Sequence, residues 1–468
     1  MSLFSEMVVE EGVTTTSFQT NSLLDYATGS YVLGHDGKWY ITGGLPQHII
    51  AVVGPNGAYK STFAAAMIMR SANIYYDADV LIDDTEDSLD KDKKRALLMG
   101  EDLYRADIEN RVLWLPGSEY TLDKLYKFIY DLCMKKSARK KDFLVKSPYI
   151  DFKTGEPLEI WVPTYIFIDS LTELYSDAED ELINNGKKGL SDANTAMMLD
   201  GNKKTLLIRS LKTLCMKYGL IVVVTGHFDK VVQMGMFDVT PKDTTFSKQD
   251  WKTKGVGSKL KFNASLYIRT QTSILQDSDK EPEYGIGSGS FKDVMEVQVV
   301  VERSKTACAG TVLPFVATQS TGILNAVTNY HYLRRMNEYD GLVGNKQRHH
   351  VGLVPNITLT RNTVRELTEG SYELRRALEI AAQYCYIRNN WRTDTLPVDF
   401  GKSANEVFDI LMSDKNKGMV SDIVNSRGYW TYCKNDRPYM DLFEIMRIAG
   451  LVKPTAKVID IPEKKKAA

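Results

Sequence analysis

Cysteine is scarce in this chain of 468 residues: five are scattered along it, and no two form a CxxC pair. An odd, unclustered set argues against a disulfide framework and against a thiolate zinc site, and it fits a reducing compartment. Long apolar runs are missing too. No segment approaches the roughly 18 uninterrupted apolar residues of a spanning helix. The N-terminal MSLFSEMVVEEG carries acidic residues where a secretory leader needs a basic flank and an apolar core, so the expected location is cytoplasmic and no membrane partner is expected. Proline is sparse, with 14 residues beside 32 glycines. With 43% hydrophobic and 25% charged residues, the composition excludes fibrous, predominantly disordered and disulfide-stapled classes. Excess charge of one sign is also absent: 59 Lys and Arg face 60 Asp and Glu, a net of -1 with His neutral. There is no global field to attract nucleic acid, so any polyanion site has to be local.

What is present is a series of short apolar runs separated by longer mixed segments. They are HIIAVV at 48–53, DVLI at 79–82, VLWL at 112–115, TYIFID at 164–169, LIVVVT at 220–225, SLYIR at 265–269 and MEVQVVVE at 295–302. Nearly continuous apolar strands with helical stretches between them predict an α/β sheet covered on both faces. The length permits two or three units. Residues 1–30, polar and rich in small side chains, read as an N-terminal arm that could serve oligomerisation; Phe18 is its candidate knob, with local packing as the plainer use. Residues 31–318 form the sheet core, 319–455 a mainly helical lobe, and 456–468 a flexible basic tail containing three consecutive lysines.

Chemistry concentrates in VVGPNGAYKSTFAAAMIMR, where an apolar strand ends at Gly54 and an Ala-rich helical pattern begins at Lys60. A strand, tight loop and helix put backbone N–H groups of Pro55-following residues Asn56, Gly57, Ala58 and Tyr59, and of Lys60, Ser61 and Thr62, around phosphate oxygens. Lys60 can reach the terminal phosphates of ATP, and Ser61 can ligate Mg²⁺. The usual loop has Gly before the lysine, whereas Tyr59 stands here; an ordinary strand-to-helix turn is the alternative. Two strand ends supply carboxylates. YIFIDS ends in Asp169, suited to the Mg²⁺ shell. VLIDDTEDS carries Asp83, Asp84, Glu86 and Asp87, among which Glu86 can orient and partly deprotonate a water; an acidic helix cap at Asp84 or Thr85 is the alternative.

The segment ITGGLPQHIIAVVGPNGAYKS at 41–61 resembles the RecA-type recombinases, most closely their phage UvsX branch, in which an ITGG segment precedes the loop and an aromatic residue can stand before the lysine. The resemblance covers about residues 40–310. It implies a RecA-like P-loop ATPase core with a mostly parallel sheet and assigns Asp84, Thr85 and Glu86 to the D-x-E motif with the water-activating glutamate. It further implies Asp169 in the FIDS motif and His227 as the sensor of the terminal phosphate, with Gly226 where Asn is expected. Arg303 and Lys305, in VVERSKT, correspond to the basic pair that enters the neighbouring subunit's ATP site. A viral source would make the location a host's cytoplasm.

For DNA contact, the window 246–261 holds Lys248, Lys252, Lys254, Lys259 and Lys261 against Asp250 alone, a balance of +4, with Trp251 available for base stacking. The resemblance makes it the second DNA-binding loop; the first would contain Lys187 and Lys188. A further cluster, Lys135, Lys136, Arg139, Lys140 and Lys141, reads equally as solubilising surface or duplex capture. The expected function is a DNA-dependent ATPase that forms filaments on single-stranded DNA and exchanges strands with duplex during recombination and repair, aided by single-strand-binding and loader proteins. The alternative is a hexameric RecA-like replicative helicase, a ring on the same core.

Overall fold

All seven apolar runs fall on strands of one sheet. The structure, a computed structural model, describes residues 13–85, 110–115, 120–151, 154–177, 190–230, 251–253, 258–274, 276–278, 281–282, 294–318, 321–335, 340–345 and 347–453, with backbone alone for 190–199, 229–230, 251–253, 258, 273–274, 276–278 and 281–282. Among the described residues ten strands join: β1 (Ile49–Gly54), β2 (Asp79–Asp84), β3 (Val112–Leu115), β4 (Thr164–Asp169), β5 (Leu220–Lys230), β6 (Trp251–Thr253), β7 (Leu266–Ile274), β8 (Met295–Ser304), β9 (Thr311–Thr318) and β10 (Gly322–Ile323). Their order is β10-β9-β8-β7-β1-β5-β4-β2-β3, with β6 paired to β5. Strands β3, β2, β4, β5, β1 and β7 run parallel, while β8, β9 and β10 extend the sheet antiparallel. The result is a mixed, mostly parallel sheet with flanking helices.

Both faces are covered because the central strands are apolar at odd and even positions alike. On one face Ile50, Val52, Ile82, Phe167 and Val223 pack with Phe63, Met67 and Ile68 of α2 (Lys60–Ile74), after the short α1 (Leu23–Thr28). On the other, Ile49, Ala51, Leu81, Ile168 and Val222 pack with Leu125 and Ile129 of α3 (Leu122–Ala138) and Leu207 and Leu211 of α4 (Leu190–Tyr218). No helix among the described residues is long and apolar enough to cross a membrane.

The N-terminal segment is occupied within its own chain. Phe18 is fully buried edge-on to Tyr75, with centroids 4.7 Å apart, and its strand Ser17–Phe18 pairs with Leu45–Pro46. All of α1 is buried, and Arg70 of α2 donates to the Thr20 and Asn21 carbonyls at 2.9 and 3.0 Å.

Beyond β7 and its preceding helix α5 (Ser258–Asn263), helix α6 (Asn325–Arg335) lies on β9, where the Val316 N–H donates to Thr328 Oγ1 at 3.0 Å. The remainder comprises a three-stranded antiparallel meander (Val343–Gly344, His349–Val351, Val354–Leu359) and helices α7 (Val364–Gly370), α8 (Tyr372–Asn390), α9 (Ala404–Met412), α10 (Lys417–Asn425) and α11 (Leu442–Ile448). Their buried side chains, Leu378, Phe408 and Phe443 among them, continue the α2-face core without a break. A loop of this region grips the far end of α2: Thr431 Oγ1 donates to the Ile74 carbonyl at 2.8 Å, the Tyr432 hydroxyl donates to Asp77, and the rings of Tyr75, Trp430 and Tyr432 pack in a three-membered cluster.

One member of the basic cluster at 135–141 is not on the surface. Helix α3 buries Leu122, Leu125, Ile129, Cys133 and Lys136 along one stripe, so Lys136 points inward. Its Nζ donates to the Val162 carbonyl at 2.6 Å and Thr164 Oγ1 at 3.0 Å, and burial pulls its pKa down to about 7.

Candidate functional site

The parallel strands β1, β5, β4 and β2 end at one edge of the sheet, the crevice where open α/β sheets place ligands. His227 stands beside Gly54 in the β5–β1 register, and Asp169 beside Asp84 in the β4–β2 register. The loop leaving β1 is shaped by backbone constraints. A Cβ on Gly54 would fall 2.6 Å from the Thr270 carbonyl oxygen, and Gly57 has φ +73°, so both positions call for glycine. Tyr59, the residue that departs from the usual loop, adopts φ 56° as the residue before α2. Asn56 and Gly57 are exposed at the loop tip, Pro55, Tyr59 and Ser61 are half-buried, and Ala58, Lys60 and Thr62 are buried. Lys60 Nζ folds back to donate to the Pro55 carbonyl at 3.0 Å, which holds the ammonium against the loop it would share with an anion. The start of α2 adds the partial positive charge of a helix N-terminus.

Ser61 Oγ, in the first turn of α2, donates to Asp169 Oδ1 at 2.9 Å. The same oxygen accepts a hydrogen bond from Thr225 Oγ1 of β5. Thr85 is bound to the end of β4: its N–H donates to the Asp169 carbonyl at 2.7 Å, and its hydroxyl donates to the Ser170 carbonyl at 3.0 Å. That hydroxyl also accepts from the Ser170 N–H at 2.8 Å. Thr85 is therefore a cross-strand clamp between the ends of β2 and β4; the segment that it or Asp84 would cap lies outside the described residues. The clamp holds the last described residue before Glu86 next to Asp169; Glu86 itself lies outside the described residues.

Ser61 and Asp169 are hard oxygen donors suited to Mg²⁺, and no group of three or more His, Cys, Asp or Glu that could hold a metal occurs among the described residues. Such a sparse set fits a cation that takes its other ligands from phosphates and water. Thr225 is the residue that sequence reasoning missed, and Asp83, named there among the strand-end carboxylates, was given no role of its own. Thr225 is marked in the sequence only as the polar end of LIVVVT. Asp83 is fully buried on the α3/α4 side, neither carboxylate oxygen has a hydrogen-bond partner, and burial followed by the neighbouring Asp84 pushes its pKa up to about 7.

The basic pair lies elsewhere. Arg303 pairs with Tyr267 and Tyr267 with Ala51, while the Lys305 N–H donates to the Ser265 carbonyl at 3.0 Å. Both residues therefore sit at the starting edge of the parallel strands, across the sheet from their own Gly54 loop. Arg303 donates to the Lys261 and Phe262 carbonyls and lies over the Phe262 ring, which is 70% exposed. Burial first, then Lys212 and Arg303, lowers the Lys305 pKa, so cations crowd this edge. Of the expected DNA-contacting residues, Lys259 is exposed on α5, and Lys261 is held by Glu302 at 3.5 Å. Trp251 and Lys252 lie on β6, described by its backbone; Lys187, Lys188, Lys248 and Lys254 fall outside the described residues.

No family model and no curated relative matches the chain. Among solved structures, one titled as the crystal structure of the RadB recombinase aligns with 60% of this chain and 92% of its own, at 15% identity and a TM-score of 0.32, a distance at which no functional assignment follows.

Proposed function

We propose that the chain is a DNA-dependent ATPase of the RecA recombinase type, nearest the phage UvsX branch, which assembles head to tail on single-stranded DNA and pairs it with duplex. The observation that carries this reading is the Ser61–Asp169 hydrogen bond, because it joins the loop that would cradle a triphosphate to the strand-end carboxylate such a nucleotide requires. The loop 54–62 binds the phosphates through the backbone N–H groups of the residues that follow Pro55, and Lys60 releases the Pro55 carbonyl to meet the terminal phosphate. Ser61 and Asp169 would hold Mg²⁺, which when bound neutralises charge on the phosphoryl oxygens. Glu86, following the clamped Thr85, orients and partly deprotonates the attacking water. His227, level with Gly54, reports the terminal phosphate to β5.

Arg303 and Lys305 sit across the sheet from their own loop, so a role at phosphates calls for a second copy. A cationic starting edge facing another subunit's carboxylate-bearing edge is a heterologous contact, which propagates as a helix or closes as a ring. Lys187, Lys188, Lys248, Trp251, Lys252, Lys254, Lys259 and Lys261 would line the DNA path in each subunit.

Electron microscopy of the full chain with single-stranded DNA and a non-hydrolysable ATP analogue tests the reading. Continuous helical filaments are expected. Closed six-membered rings around the strand would replace it with the helicase reading, and the absence of nucleotide-dependent assembly would remove both.

A further inference from the structure

On the nucleotide-site reading above, we propose that Thr225 is a positioning residue for Mg²⁺ binding: its hydroxyl sets the orientation of the Asp169 carboxylate toward the cation. Asp169 Oδ1 receives two hydroxyl donors, from Ser61 and Thr225, which belong to different elements. They are not equivalent. Ser61 is half-buried on the first turn of α2 and is itself a candidate ligand, so its oxygen has to serve a cation as well. Thr225 is fully buried inside β5; its hydroxyl makes its short contact to the carboxylate, with the Ile168 carbonyl farther off at 3.5 Å.

The backbone around Thr225 gives the hydroxyl little freedom. In the sheet register Thr225 stands beside Val52 of β1, and its carbonyl accepts from the Leu171 N–H at 3.2 Å, so β4 and β5 remain joined just past Asp169. A threonine side chain on a strand has a restricted χ1, which limits the directions its hydroxyl can take. Water cannot enter to replace a lost donor at a site with no exposure. Removing the hydroxyl therefore leaves Oδ1 held by Ser61 alone, whose oxygen a cation would engage, while the methyl group of an isosteric valine still fills the space. Partners that orient a metal-binding carboxylate in this way change metal affinity by about 10–100-fold when lost. Two residues along the same strand stands His227, so Thr225 also ties the carboxylate to the strand that carries the phosphate sensor.

The test is a Mg²⁺ titration of fluorescent ATP-analogue binding to the full chain, comparing wild type with Thr225→Val, Thr225→Ala and Thr225→Ser. The two variants lacking a hydroxyl should raise the half-saturating Mg²⁺ concentration about 10-fold or more while leaving metal-free nucleotide affinity unchanged. Thr225→Ser should restore the wild-type value. Thr225→Ala carries the comparison if the valine variant does not fold. A wild-type Mg²⁺ dependence in the folded hydroxyl-less variant overturns the inference, as does a serine variant that behaves like valine. Wild-type nucleotide binding that is indifferent to Mg²⁺ overturns the nucleotide-site reading itself, a signature distinct from either.

Discussion

The Ser61 hydroxyl donates to Asp169 Oδ1 over 2.9 Å, joining the first turn of α2 to the end of β4. Substituting either side of this junction should separate phosphate contact from cation contact. Lys60→Ala should weaken ATP-analogue binding by about 10-fold or more with and without Mg²⁺, because it removes a charge-assisted contact. Ser61→Ala should weaken binding chiefly when Mg²⁺ is present. Fluorescence titrations in the two conditions check both expectations.

Glu86 and Lys305 are assigned to opposite sides of one composite site. Glu86→Gln and Lys305→Ala should each lower turnover by about 10²-fold or more while retaining nucleotide binding. An equimolar mixture should recover activity, since some junctions then combine an intact Glu86 from one chain with an intact Lys305 from another. Steady-state ATPase assays of the separate and mixed proteins on single-stranded DNA decide the matter; no recovery would remove the assembly role of Lys305.

Replacing Lys252, Lys254 and Lys259 by Ala should weaken single-stranded DNA binding and flatten its dependence on salt. Each lost phosphate contact reduces the logarithmic salt slope by about 0.7, so a change near 2 is expected. Lys261 is left in place because it pairs with the buried Glu302, and its removal would disturb packing as well as charge. Binding isotherms at several salt concentrations provide the measurement.

Lys136 makes stability depend on pH on its own account. Burial lowers its pKa to about 7 in the folded chain from the ordinary lysine value of 10.5, so between these limits the unfolded chain binds more protons. Stability from this group therefore rises as pH increases from about 7 toward 10.5 and is lowest below pH 7. Lys136→Met should lack that increment, so the difference in melting temperature between variant and wild type should shift in favour of wild type across this window. Thermal melts at pH 6, 8 and 10 test the sign.

Much of the site was legible because its chemistry is local. VVGPNGAYKS declares strand, loop and helix within one stretch, and the apolar runs announce the strands that carry Asp84, Asp169 and His227 to one edge. What was not legible depends on long-range pairing. Thr225 meets Asp169 across 56 residues, and Thr85 meets Ser170 across 85, so neither hydroxyl's partner could be read from neighbouring letters. Lys136 was misleading for a different reason: its charged neighbours masked the apolar stripe of α3 on which it falls.

The loop that packs Trp430 and Tyr432 against Tyr75 ties the last helices of the chain to the helix that begins at Lys60. Cutting the chain before that loop would leave Tyr75, Phe18 and the end of α2 facing water without their cover. Heat or denaturant should therefore melt the sheet and the last helices together in one cooperative transition.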